Sequence, residues 1–252
     1  GGARGAGQSF SPDCYRMRLV PAAIRPPSLW LRQVSLVVRK DVVIELRSGE
    51  VVAGSAFFAL LIMVLASIAL SGGGAVSRVM ASGVIWIALA FAAVLGIARA
   101  WQRERQDDVL LAWVVSPLQP SALFFGKCLG LGAFLVVVQG VIVPLTLLLF
   151  SLDAAAHLAL LSLVSLLAIP GIAAAGTLFG VMTVRTRARD LLLAIVLFPL
   201  LAPSLVTAVA ATRELLGGAP LAELRGYLVL LAAFDLTLIG LGASLFGILI
   251  ED

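Results

Sequence analysis

Six apolar stretches, at about residues 51–70, 79–98, 121–150, 158–184, 191–211 and 227–250, alternate with short polar segments along this chain. A helix needs about 20 residues to cross the hydrocarbon layer of a bilayer, and each stretch supplies them. The pattern therefore predicts six transmembrane helices. Residues 30–48 follow a different rhythm. Leu31, Val34, Val38, Val42 and Leu46 recur every three or four positions and share one helical face, while Arg32, Arg39, Lys40 and Arg47 gather on the other. A helix of that kind lies in the membrane interface. The expected fold is all-α: a polytopic membrane protein with an interfacial amphipathic helix at 30–48 ahead of a six-helix domain at 49–252. Residues 1–29, dominated by Gly, Arg, Ser and Pro, are expected to be a disordered extension, with Met17 as a candidate start.

Composition agrees with the pattern. Hydrophobic residues make up 61% of the chain and charged ones 13%, against about 25% charged in soluble domains. Arginine and lysine fix the orientation. Arg99, Arg103, Arg105, Lys127, Arg185, Arg187 and Arg189 fall on the side of the N-terminal positives, and only Arg78, Arg213 and Arg225 on the other. The positive-inside rule then makes both termini and the two charged loops cytoplasmic.

One of those loops, at 99–120, gathers Arg99, Arg103, Glu104, Arg105, Asp107 and Asp108 in a short run. Each charge at a bilayer centre costs roughly 2.5–3.5 kcal/mol, so the run is expected in water at the membrane face. The apolar tract at 109–115, closed by Ser116-Pro117 and Pro120, reads as a short surface helix. It offers a docking element for a soluble partner.

Catalytic chemistry is harder to find. Cys14 and Cys128 have no metal or redox spacing. Gly126-Lys127 is followed by Cys128, and Ser121 stands where a phosphate-binding loop needs glycine. The single histidine, His157, is read as solvated at the outer end of the fourth span, with a haem or metal ligand as the alternative. The chain is expected to be a non-catalytic subunit with no nucleic-acid partner, driven by an ion gradient or a partner ATPase. Asp41 and Glu45 fall on the apolar side of the first helix, either pairing with nearby basic residues or the next helix, or fixing that helix against the charged loop. Pro144, Pro170-Gly171, Pro199 and Pro203 interrupt three spans, as packing kinks or as hinges. Gly176 and Gly180 form a small-residue contact motif. Asp235, inside the last span, either meets a hydroxyl or arginine or serves substrate passage.

The order of several motifs resembles one family. R-K-D-V-V-I-E-L-R at 39–47, A-R-A-W-Q-R-E-R-Q-D-D at 98–108 with S-P-L-Q-P, and F-G-K at 125–127 are similar to the CcmB family. So are I-P-G at 169–171, R-x-R-x-R-D-L-L-L at 185–193 and F-P-L-L-A-P at 198–203. CcmB proteins are the membrane subunit of the haem exporter of cytochrome c maturation, and the resemblance runs from about Trp30 to the C-terminus. It implies a six-helix ABC-type permease of the bacterial inner membrane, embedded in lipid and paired with itself as a homodimer. ATP would be handled by a separate cytoplasmic ATPase, and other maturation proteins and a haem chaperone would assemble with it. Haem is then a substrate, and no cofactor is assigned to this chain.

By that resemblance the 99–120 loop holds the coupling helix, with Trp101, Arg103, Glu104, Asp107, Asp108 and Pro117 meeting the ATPase. Lys40, Asp41, Glu45 and Arg47 belong to the interfacial helix, and Pro170, Gly171, Pro199, Pro203 and Asp235 to a hinge or pathway. Asp108 stands where relatives often carry a small residue, and Leu111 where some carry an acid. A permease for a lipid, polysaccharide or drug, and a scaffold that only releases a haem-loaded chaperone, remain as alternatives.

Overall fold

The structure is a computed structural model, and it describes residues 27–69, 75–106, 118–184 and 197–251. Among the described residues all regular structure is helical: α1 Pro27–Ser48, α2 Glu50–Ala69, α3 Ala75–Gln106, α4 Pro120–Leu149, α5 Ala154–Val184, α6 Phe198–Leu216 and α7 Leu221–Glu251. Five stretches, Glu50–Ala69, Val76–Gln102, Pro120–Leu149, His157–Met182 and Leu221–Leu249, are long and apolar enough to cross a membrane. The chain is a multi-pass membrane protein. The span expected at 191–211 is described only from its middle, since residues 191–196 lie outside the described residues, and α6 continues past the expected end to Leu216.

The ends of the helices follow from local chemistry. Gly49, between α1 and α2, holds φ at +60°, a conformation that costs glycine little, and its N–H bonds the Glu45 carbonyl at 2.7 Å. Pro120 opens α4, where its missing N–H is no loss. Pro199 likewise falls in the first turn of α6. The other prolines lie inside continuous helices: α4 runs through Pro144, α5 through Pro170 and α6 through Pro203. Each proline removes a single hydrogen bond, which a long apolar helix tolerates when its neighbours pack around it.

The bundle is built around α5, which packs against α3, α4, α6 and α7. Ala173, Ala174 and Ala175 are fully or almost fully buried at this crossing. Lipid supplies no hydrophobic drive between helices, so close backbone approach and polar contacts carry the association. The Gly176/Gly180 motif supplies the first. A Cβ on Gly176 would stand 2.5 Å from Ile97 of α3, and one on Gly180 would overlap the Trp101 ring. Polar contacts supply the second: Trp86 Nε1 donates to Thr212 Oγ1 at 2.9 Å between α3 and α6, and Gln139 Nε2 to Ser165 Oγ at 3.0 Å between α4 and α5.

Helix α1 is held against α4. It runs alongside the start of α4 in the same direction, with Trp30 bonded to Ser121, Val37 seated on Gly126 and Asp41 on Gly130. Val34 and Val37 are buried, whereas Leu31 and Leu46, the two ends of the expected apolar stripe, are 60% and 80% exposed. The glycine notches of α4 select which face of α1 is covered. Helix α3 departs from expectation. It does not end near Ala98 but continues through the charged run to Gln106.

Candidate functional site

The extension of α3 carries Trp101 and Glu104 into the protein, where the sequence had put them in water. They are 5% and 4% exposed. The reason is Lys127, in the third turn of α4, which is 6% exposed and lies within the apolar run F-F-G-K-C-L-G. A buried ammonium is costly unless it is paired and hydrogen-bonded. Its Nζ donates to Glu104 Oε1 and lies 2.9 Å from Asp41 Oδ2 of α1. Lys40 reaches the same Glu104 oxygen at 2.6 Å and Asp41 at 3.4 Å. The Trp101 ring covers Lys127 at 5.9 Å, a cation–π distance. Two ammonium groups and two carboxylates thus join α1, α3 and α4 at one point.

Electrostatics at this point follow from the pairing. Burial opposes ionisation of Glu104, but Lys127 and Lys40 outweigh it and hold the carboxyl below its ordinary range. Burial likewise opposes the charge on Lys40, and Glu104 and Asp41 overcome it, raising the ammonium above its ordinary value. Glu104 Oε2 is buried and has no hydrogen-bond partner among the described residues. Nearby, Glu45 Oε1 accepts the N–H groups of Val51 and Val52 at 3.0 and 2.8 Å, so α1 caps the open first turn of α2. Arg99 and Glu50 pair at 3.0 Å, but both are exposed and the contact adds little.

Beside the cluster lies a half-open cavity of about 430 Å³ between α1, α2, α3 and α4. Val52, Gly96, Phe134 and Val137 are among its apolar walls, and Asp41, Glu45, Glu104 and Lys127 are its charged lining.

A different contact joins residues that the sequence had named separately. Asp235 of α7 is 8% exposed, and its Oδ1 rests against the backbone of Gly171, the residue after Pro170. A Cβ at Gly171 would collide with that oxygen. Oδ1 has no hydrogen-bond partner among the described residues.

The structure thus brings together Trp101, Glu104, Lys40, Asp41 and Glu45, and separately Asp235 with Pro170-Gly171. Arg47 is exposed and outside the cluster. Pro199 and Pro203 lie one turn apart on α6. Asp107, Asp108, Pro117 and the tract at 109–115 fall outside the described residues, and Arg103 is described by its backbone alone. His157 is half-buried, and no group of three His, Cys, Asp or Glu among the described residues could hold a metal. Lys127 is the residue that sequence reasoning missed. Its signal was a lysine inside an apolar run, beside two acids on the apolar face of α1.

The family model described as CcmB protein matches residues 32–248, which takes in every member of the charge cluster. The chain is also similar to heme exporter protein B of Pseudomonas aeruginosa. The two are 28% identical over 192 residues, covering 76% of this chain and 85% of that protein.

Proposed function

The chain belongs to the CcmB family, and on that footing we propose that it is the permease subunit of an ATP-driven haem exporter serving cytochrome c maturation. The observation that carries this reading is the family match, which runs from the first described helix to the last. We place the protein in the bacterial inner membrane with six spans and both termini in the cytosol, α6 completing the set. It works as a non-catalytic subunit, paired with itself, with a separate cytoplasmic ATPase, and with the maturation proteins that hand haem to its chaperone.

The charge cluster supports a specific route for the motion. Residues 107–117 leave α3 two residues after Glu104 and lead into α4 ahead of Lys127. The Glu104–Lys127 pair therefore ties the two flanks of that loop together, and Asp41 and Lys40 add α1 to the same knot. An ATPase pressing on 107–117 would move three helices as one unit rather than bending a single one. Glu104 and Lys127 are positioning residues in this scheme. Trp101, wedged onto Gly180, passes the displacement to α5, whose Pro170-Gly171 step bears on Asp235 of α7.

Proteoliposomes containing the chain with its ATPase complex test the function. ATP should drive haem movement or release of the haem-loaded chaperone. Robust ATP turnover with neither outcome would favour a scaffold, and movement of another amphiphile would favour a permease of different cargo.

A further inference from the structure

We propose that the cavity beside the charge cluster holds one membrane lipid with an amine-bearing head group. Three features point to it. The walls are mainly apolar and come from α1 and from the membrane-spanning helices α2, α3 and α4, so water is a poor occupant. The cavity also runs from the end of the bundle inward. Lys127 and Trp101 line its polar end and Val137 its deeper wall, about 15 Å further along α4 by helical rise. A volume of about 430 Å³ takes the head group and the first part of the chains of one lipid, the rest leaving through the open side.

The polar end then selects the head group. Asp41 and Glu104 stand there and Glu45 lines the cavity one turn further along α1, so its lining carries three carboxylates against Lys127, with Lys40 reaching in from outside. Lys127 is already engaged by Glu104 and Asp41. Glu104 Oε2, in a side chain that is 4% exposed, still lacks a donor. An ammonium head group supplies positive charge and N–H donors to that end. A phosphate-only head, or a haem with its two carboxylates, would bring negative charge to a wall that is already net acidic. The cavity is therefore a lipid seat rather than a station for haem, and the assignment does not depend on what the protein exports.

The test uses the full chain in nanodiscs of equal phosphatidylethanolamine and phosphatidylglycerol, extracted gently, with retained lipid quantified by mass spectrometry. The expected result is about one phosphatidylethanolamine per chain, enriched about tenfold over phosphatidylglycerol. Ala133→Trp and Ala53→Trp, at exposed positions on two different walls, fill the cavity without disturbing buried packing. Both should lose the retained lipid while melting like the parent. Equal retention of the two lipids, no retained lipid, retention unchanged in both variants, or displacement of the lipid by added haem would each overturn the proposal.

Discussion

A lysine buried to 6% keeps its charge only where carboxylates stand in for the water it has lost, and Lys127 has two. Removing Glu104 leaves Lys127 with Asp41 alone, and losing one charged partner of a buried group costs on the order of 1–3 kcal/mol. Glu104→Gln should therefore destabilise the protein by about that amount at neutral pH, read as a drop in melting temperature in detergent. The pH dependence has a definite sign. The Glu104 carboxyl sits below its ordinary value near 4.5, so its contribution is full above that pH and is lost as pH falls through the lowered folded value. Lys40 is raised above 10.5, so its share is full below that pH and is lost only as pH rises through the raised value. Hence the melting gap between the parent and Glu104→Gln should be level through neutral pH and close in acid. A gap that widened in acid would contradict the assignment. Gly180 sets a steric limit of the same scale: Gly180→Ala drives a methyl into the Trp101 ring and should cost about 1–3 kcal/mol by thermal unfolding.

At the scale of helices, hydropathy located the apolar spans well because every side chain in a span casts the same vote. The expected 51–70 and 121–150 became Glu50–Ala69 and Pro120–Leu149. The continuation of α3 to Gln106 was not legible that way. A charged run reads as water-seeking until its partners are known, and those of Glu104 lie far away in the chain at Lys40 and Lys127. The covered face of α1 was half legible. Asp41 and Glu45 were read on the apolar side and lie against α4 and α2, but nothing in the periodicity of α1 reveals that Gly126 and Gly130 choose Val37 and Asp41 as neighbours. The meeting of Asp235 with Gly171 was also out of reach, since it depends on the register between α5 and α7. It makes a prediction for that pair of helices. Gly171→Ala alone should destabilise by about 1–3 kcal/mol, and adding Asp235→Ala should recover part of the loss. Strict additivity in a double-mutant cycle would mean that the two positions do not touch.

Taken whole, the molecule is a helical membrane bundle with a polar knot at one end. The knot gathers α1, α3 and α4 beside the loop at 107–117, and α5 relays from there to α7. In the proposed function this end faces the cytosol, where an ATPase would meet that loop. A cysteine introduced by Asp108→Cys, in a chain also carrying Cys14→Ser, reports on it directly. Cys128, the remaining thiol, is buried. In membrane vesicles, an impermeant maleimide should label position 108 only when the cytoplasmic face is outward, and bound ATPase should protect it. Labelling from the opposite face, or labelling from the cytoplasmic face unchanged by saturating ATPase, would contradict the account.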